Sequence, residues 1–360
     1  MDDRICPGPL LELLKNPAGA SSVALKTWEW LLPLSRRLKL FGTLAMKLND
    51  QEILPSLPKA ITWQIEAGCR QVDFVHRQMM WELDRLERAL FDCNVPVILL
   101  KGAAYLAAGL NASQGRISND VDILVPLDQL KAIEQLLLGA GWGQESVTGR
   151  HAEYYRRWLH ELPPLKHPVR CVELDVHHNL IPATDPLCPD PIQLWDECQS
   201  VLEQSRFKIL SARDLVIHAS CHLFRNSPFD SGLRDLWDIY QLVGESESPV
   251  EFLHDVMRRA KDLRLGMPVG LALTNVARYL VSKDERGDWL AVAKRGIPFW
   301  FPLRTMNRIV HRAIYPRSLK NVDKGQARAG WILSHYPPPR IRAMLTPLFW
   351  LKRWPEKKDI

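Results

Sequence analysis

The stretch Ser118–Pro126, SNDVDILVP, constrains the fold more than any other part of the chain. Asp120 and Asp122 stand one residue apart at the head of the apolar run Ile123, Leu124 and Val125. Strand side chains alternate, so residues two apart share a face. A strand that enters a core with two acids on one face must supply them with a cation or a proton, because packed carboxylates repel. Oxygen-only ligands suit Mg²⁺, which combines a few carboxylates with substrate phosphates. A lone Asp-x-Asp also arises by chance at strand ends, so its meaning depends on what lies around it.

Three neighbouring features bear on it. Val95–Leu100, VPVILL, is short, apolar and rich in β-branched residues, and reads as a buried strand. Lys101 and Gly102 follow it, and AAYLAAGL continues with helical composition. A strand–Gly–helix junction exposes backbone N–H groups that suit a phosphate, and Lys101 adds a point charge. Arg116, shortly before the aspartates, is placed to reach the same anion. Downstream, Val169–His178 alternates: Val172, Leu174 and Val176 share one side, and Glu173, Asp175 and His177 the other. Periodicity does not choose between Glu173 and Asp175 as a third carboxylate. The set of neighbouring carboxylate strands and a Gly turn suits two-metal phosphoryl transfer.

The flanks read as helical. In Gln71–Leu90, Val72, Val75, Met79, Leu83, Leu86 and Leu90 recur at steps of three and four, which predicts one core-facing helix stripe. Leu130, Ile133 and Leu137 predict a helix after the Asp strand, stopped by Gly139 or Gly141. His151–Trp158 is a weaker strand candidate. From about Pro191 the pattern is helical again, with capping boxes at Ser211–Asp214 and Ser248–Glu251. The expected class is therefore mixed α+β, a small sheet unit between helical segments. The expected units are an N-terminal helical region (1–92), an α/β core (93–185), a helical domain (186–290) and a C-terminal extension (291–360).

Composition excludes several alternatives. The 360 residues are 46% hydrophobic and 24% charged, enough for a sizeable core. No run approaches the roughly 18 apolar residues of a membrane span, and the acidic, Pro-rich start has no apolar signal core. Seven irregularly spaced cysteines without a C-x-x-C pair point to reduced thiols rather than a disulfide frame or a zinc knuckle. The expected location is cytoplasmic. His218, Cys221 and His222 have helical spacing that can hold zinc, but no fourth ligand accompanies them and a buried helix face explains them more simply. The net charge of +6 is concentrated after about Lys294, where Phe299–Phe301, Trp331, Phe349, Trp350 and Trp354 are interleaved with Lys and Arg. That combination fits a nucleic-acid surface, an anionic membrane-surface partner, or a helical cap with a solvated basic face.

The residues LLKGAAYL, Arg116, DVDILV and VELDVHHNL together resemble the nucleotidyltransferase superfamily of the DNA polymerase beta type. The similarity is to its branch of uncharacterised bacterial nucleotidyltransferases, and GLRDLWDIYQLV (Gly232–Val243) resembles that branch's later helix, with Asp238 at the recurring Asp. The resemblance covers about residues 20–245, and its diagnostic part lies between 97 and 178. It implies Asp120, Asp122 and Asp175 as catalytic metal ligands for two Mg²⁺ ions, with Mn²⁺ as an alternative. It implies Lys101, Gly102 and Arg116 as nucleotide-binding residues, and His177 and Asp238 as supporting residues; Glu173 joins these through its shared strand face with Asp175. The implied reaction moves a nucleoside monophosphate from an NTP, ATP first among them, to an acceptor hydroxyl with release of pyrophosphate. Ala103 follows Gly102 where the superfamily usually carries Gly or Ser, which removes a hydroxyl contact to phosphate. That departure keeps open a non-catalytic binding or regulatory protein on the same fold. A toxin-like enzyme acting on tRNA would share the site.

Overall fold

The computed structural model describes residues 7–93, 95–144, 160–201, 205–226, 229–315 and 329. The N-terminal flank is helical: α1 (Gly8–Lys15), α2 (Leu25–Arg37), α3 (Phe41–Asp50) and α4 (Lys59–Ala89). The stripe expected over Gln71–Leu90 is the second half of α4, where Val72, Met79, Leu83 and Leu86 are buried. The chain then forms β1 (Val97–Leu100), α5 (Lys101–Ala107), β2 (Asp120–Leu124) and α6 (Leu130–Gly139). Next come β3 (Gly143–Gln144), β4 (Leu165–Lys166) and β5 (Glu173–His177). The strand candidate His151–Trp158 lies outside the described residues.

After β5 the chain adds β6 (Gln199–Ser200) and β7 (Phe207–Ile209) before its long helices begin. The sheet has seven strands in the order β3-β4-β5-β2-β1-β7-β6, so the fold is α+β and the Asp strand is central. β2 runs antiparallel to β1 and parallel to β5, while β7 runs parallel to β1 on its other side. The stretch expected to be only helical from Pro191 thus supplies two strands. Phe207-Lys208-Ile209 is too short to show a period, and its pairing with the apolar β1 decides its conformation.

Burial explains why β2 is fixed. Val121, Ile123, Leu124 and Val125 are all fully buried, each contributing about 2 kcal/mol of apolar burial. The preceding loop is held by close backbone packing. Gly115 has φ +73, and a Cβ there would lie 2.4 Å from the Thr43 backbone in α3. Only glycine meets both conditions, and the contact sets the approach of Arg116 to the sheet.

The helices beyond the sheet span Ala212–Cys221, Gly232–Val243, Pro249–Asp262, Gly266–Tyr279, Arg286–Lys294 and Leu303–Ile314. Ser211 caps the first as expected, its hydroxyl accepting from Asp214 N at 3.3 Å. Ser248 does not cap the third; Pro249 takes the first helical position as expected, but the Ser248 side chain makes no cap bond. Its backbone N–H instead donates to Ser246 Oγ. No helix among the described residues is long and apolar enough to cross a membrane. Of the aromatic basic region, Phe299 and Trp300 are exposed and Phe301 is buried. Trp331, Phe349, Trp350 and Trp354 lie outside the described residues.

Candidate active site

The acids meet because of strand register. In the parallel β2–β5 pair, Asp120 stands opposite Glu173 and Asp122 opposite Asp175. Neighbouring strands lie about 4.8 Å apart, so Asp122 and Asp175 project side by side from adjacent strands. His177, two residues on, shares Asp175's face. Ligand atoms of Asp122, Asp175 and His177 all lie within 4.8 Å of one another. Glu173 turns outward to Lys166 on β4, 3.2 Å away, so register separates the two acids that periodicity left equivalent. Asp120 sits at the half-buried mouth of the strand and is close enough to raise the Lys101 pKa.

Lys101 enters from the other neighbour. It is the first residue of α5 and has φ +47, in the left-handed region that a side chain rarely adopts. Such a conformation costs about 1–3 kcal/mol and is held only by its surroundings. Here the strand-to-helix turn brings Lys101 Nζ to 2.5 Å from Asp122 Oδ1. Gly102 packs beneath: a Cβ there would lie 2.1 Å from Ser118 Oγ and 3.0 Å from Arg116 Nε. A small pocket opens beside it, lined by Val75, His76, Met79, Gly102, Leu106, Ser113, Arg116 and Ser118.

The charges are strongly coupled. Burial opposes the Asp122 charge, but the Lys101 ammonium and the His177 imidazole outweigh it and hold the carboxyl well below the usual carboxylate range. Burial also opposes the Lys101 charge, yet Asp122, backed by Asp120 and Asp175, raises its pKa. Burial and then the Asp122 charge push Asp175 up to about 7, against the pull of His177 and Lys101. Two crowded carboxylates, one of them resisting ionisation, fit a divalent cation, whose charge would relieve that resistance.

Arg116 is buried, and its guanidinium pairs with Asp238 of the helix Gly232–Val243. Its Nε donates to Ser118 Oγ at 3.2 Å, and its carbonyl accepts from His76 Nε2 at 2.8 Å. Burial and the neighbouring Arg234 pull its pKa down to about 10. Asp238 therefore connects the helical segment to the site's arginine. Tyr105 is buried beneath, its ring 5.5 Å from the Arg116 guanidinium.

Two residues near the acids escaped the sequence reading. Glu161 Oε2 lies 3.3 Å from His177 Nδ1, and the His160 ring stacks on His177 with centroids 5.3 Å apart. The segment runs antiparallel past the end of β5, with Leu162 N donating to Val176 O and His178 N to His160 O. In sequence they stand in LHELPP, which has no periodicity to mark them. His218 and Cys221 are buried in the helix Ala212–Cys221, His222 is half-buried just after it, and the three form no metal-ligating cluster among the described residues. Burial and then Lys101 hold the imidazoles of His218 and His222 neutral, His222 with a pKa of about 3.

Sheet, carboxylate pair and strand–Lys-Gly–helix turn together have the organisation of a nucleotidyltransferase. A family model described as an uncharacterised nucleotidyltransferase matches residues 25–281, and the chain belongs to that family. The resemblance read from Lys101 to His177 is therefore borne out at the level of the family. No curated protein matches the chain.

Proposed function

We propose that the protein transfers a nucleoside monophosphate from an NTP, with ATP as the first choice, to an acceptor hydroxyl and releases pyrophosphate. The observation that carries this reading is Asp122 beside Asp175 on parallel strands, with the Lys101 ammonium on Asp122. Asp120, Asp122 and Asp175 would hold two divalent cations, Mg²⁺ or Mn²⁺. When bound, these supply charge neutralisation at the triphosphate and a lowered pKa at the acceptor hydroxyl.

Asp175, beside Asp122 on the neighbouring strand, is placed to accept the acceptor's proton. The acceptor oxygen then forms a bond to the α-phosphorus, and the bond to the β-phosphate oxygen breaks with pyrophosphate taking the electron pair. Lys101 would move its ammonium from Asp122 to a phosphate oxygen as a cation contests that carboxylate. Arg116 uses two of its five N–H donors on Asp238 and Ser118 when counted by bonded nitrogen, leaving donors for phosphate. The basic region after Lys294 favours an anionic acceptor.

The test is incubation of the full chain with α-labelled NTPs and a cell extract. Label should move to one acceptor fraction, and Asp120→Asn should abolish the transfer. Calorimetry with Mg²⁺ and each NTP complements it. Absence of NTP binding by the wild type, or equal binding after Asp122→Ala, would refute the enzyme and leave a non-catalytic binding protein.

A further inference from the structure

The carboxylate pair is not flanked by oxygen donors alone. His177 Nε2 lies 3.1 Å from Asp122 Oδ1, and its Nδ1 lies 3.3 Å from Glu161 Oε2. A neutral imidazole carries one proton, so only one of its nitrogens can donate. Without a cation Nε2–H can donate to Asp122; with the proton on Nδ1 and directed at Glu161, the Nε2 lone pair is turned to the cation position. Ligand atoms of Asp122, Asp175 and His177 lie within 4.8 Å of one another, so a cation held by the two carboxylates would also meet that nitrogen. A histidine tied at one nitrogen to a carboxylate, with the other free to ligate, is the recurring support arrangement of protein metal centres. Stacking on His160 and burial further fix the ring plane.

We propose that the cation position bounded by Asp122, Asp175 and His177 is a mixed oxygen–nitrogen site. In it, His177 Nε2 is a direct ligand oriented by Glu161, and the site takes Mn²⁺ in preference to Mg²⁺. This rests on the reading above that Asp122 and Asp175 hold a divalent cation. The preference follows from ligand chemistry: Mg²⁺ favours oxygen donors and keeps its water, while imidazole suits the first-row transition ions. The Asp120 end of the strand belongs to no imidazole-containing cluster among the described residues. The two cation positions are therefore chemically unequal, and the one nearer β5 is the nitrogen-bearing one.

The experiment uses the full chain and Mn²⁺ alone, then Mn²⁺ with Mg²⁺ in about tenfold excess, followed by electron paramagnetic resonance. One Mn²⁺ should remain bound against the excess Mg²⁺. Pulsed spectra should show a ¹⁴N coupling that converts to ¹⁵N in protein made with ¹⁵N-histidine, a readout that needs no substitution. His177→Gln should lose the coupling and His160→Gln should keep it. Glu161→Gln should weaken Mn²⁺ binding by about 10–100-fold, the usual effect of removing such a support. Bound Mn²⁺ with no ¹⁴N coupling, a coupling that survives His177→Gln, or displacement by equimolar Mg²⁺ would each overturn the proposal while leaving the carboxylate metal reading intact. Failure to take up either cation, with or without NTP, would overturn both.

Discussion

Removal of the Asp238 carboxylate tests how the helical segment is joined to the site. In Asp238→Ala the Arg116 guanidinium loses its ion-pair partner while about 9% exposed. Among the described residues only Ser118 Oγ remains bonded to its side chain. Asp235 lies near enough to act on Arg116, but Arg234 and Ser231 already engage it at 2.9 and 3.1 Å. Stranding a buried charge costs about 3–5 kcal/mol. Equilibrium urea denaturation followed by circular dichroism should therefore show a loss of that size. Arg116→Met removes the stranded charge, so the double variant should be more stable than the sum of the two single losses predicts, by about 2 kcal/mol. The measurement needs no knowledge of the acceptor. A loss below about 1 kcal/mol in Asp238→Ala, or strict additivity in the cycle, would refute the claim that this pair ties the two segments together.

Three other outcomes follow from the same geometry. Gly102→Ala should destabilise by about 1–3 kcal/mol, because the added Cβ meets Ser118 and Arg116, and Ser118→Gly should recover most of the loss in a thermal melt. Glu82→Ala should lower stability by about 2 kcal/mol or more in the same assay, since Arg170 grips this buried carboxylate through both Nε and Nη2. The third concerns pH. Asp175 titrates at about 7 in the fold against an ordinary 3.8, so its contribution to stability is present below the ordinary value and is lost as pH rises through about 7. A divalent cation offsets that loss, so the rise in melting temperature on adding Mg²⁺ or Mn²⁺ should be larger at about pH 8 than at about pH 6. An equal rise at both would show that Asp175 does not face the cation.

Much of the site is legible in sequence because strands advertise themselves locally. Alternation placed Asp120 with Asp122, and Asp175 with His177, on common faces, and the apolar run marked Lys101 and Gly102 at a strand end. Register is not local. Whether Glu173 or Asp175 lies beside Asp122 depends on how β5 aligns with β2, which no single strand records. Glu161 and His160 were hidden for the same reason: an antiparallel pass brings them to His177, and LHELPP has no period of its own. Phe207–Ile209 is invisible within a helical stretch because three residues cannot display a repeat. Asp238 was visible as a recurring acid, but its partner in the loop before β2 was not.

The position of β7 beside β1 has a consequence for biosynthesis. Ribosomes deliver the chain from the N-terminus, and the acids and His177 have all been made by the end of β5. Val97–Leu100 nevertheless has one open, wholly apolar edge until Phe207–Ile209 has been translated. Arg116 likewise waits for the helix that carries Asp238. A nascent chain stalled between these points would present an unpaired strand edge, the feature most prone to pairing with another molecule. Expression of fragments ending before β7 should therefore give aggregates, and the smallest soluble form of this sheet must extend past Ile209.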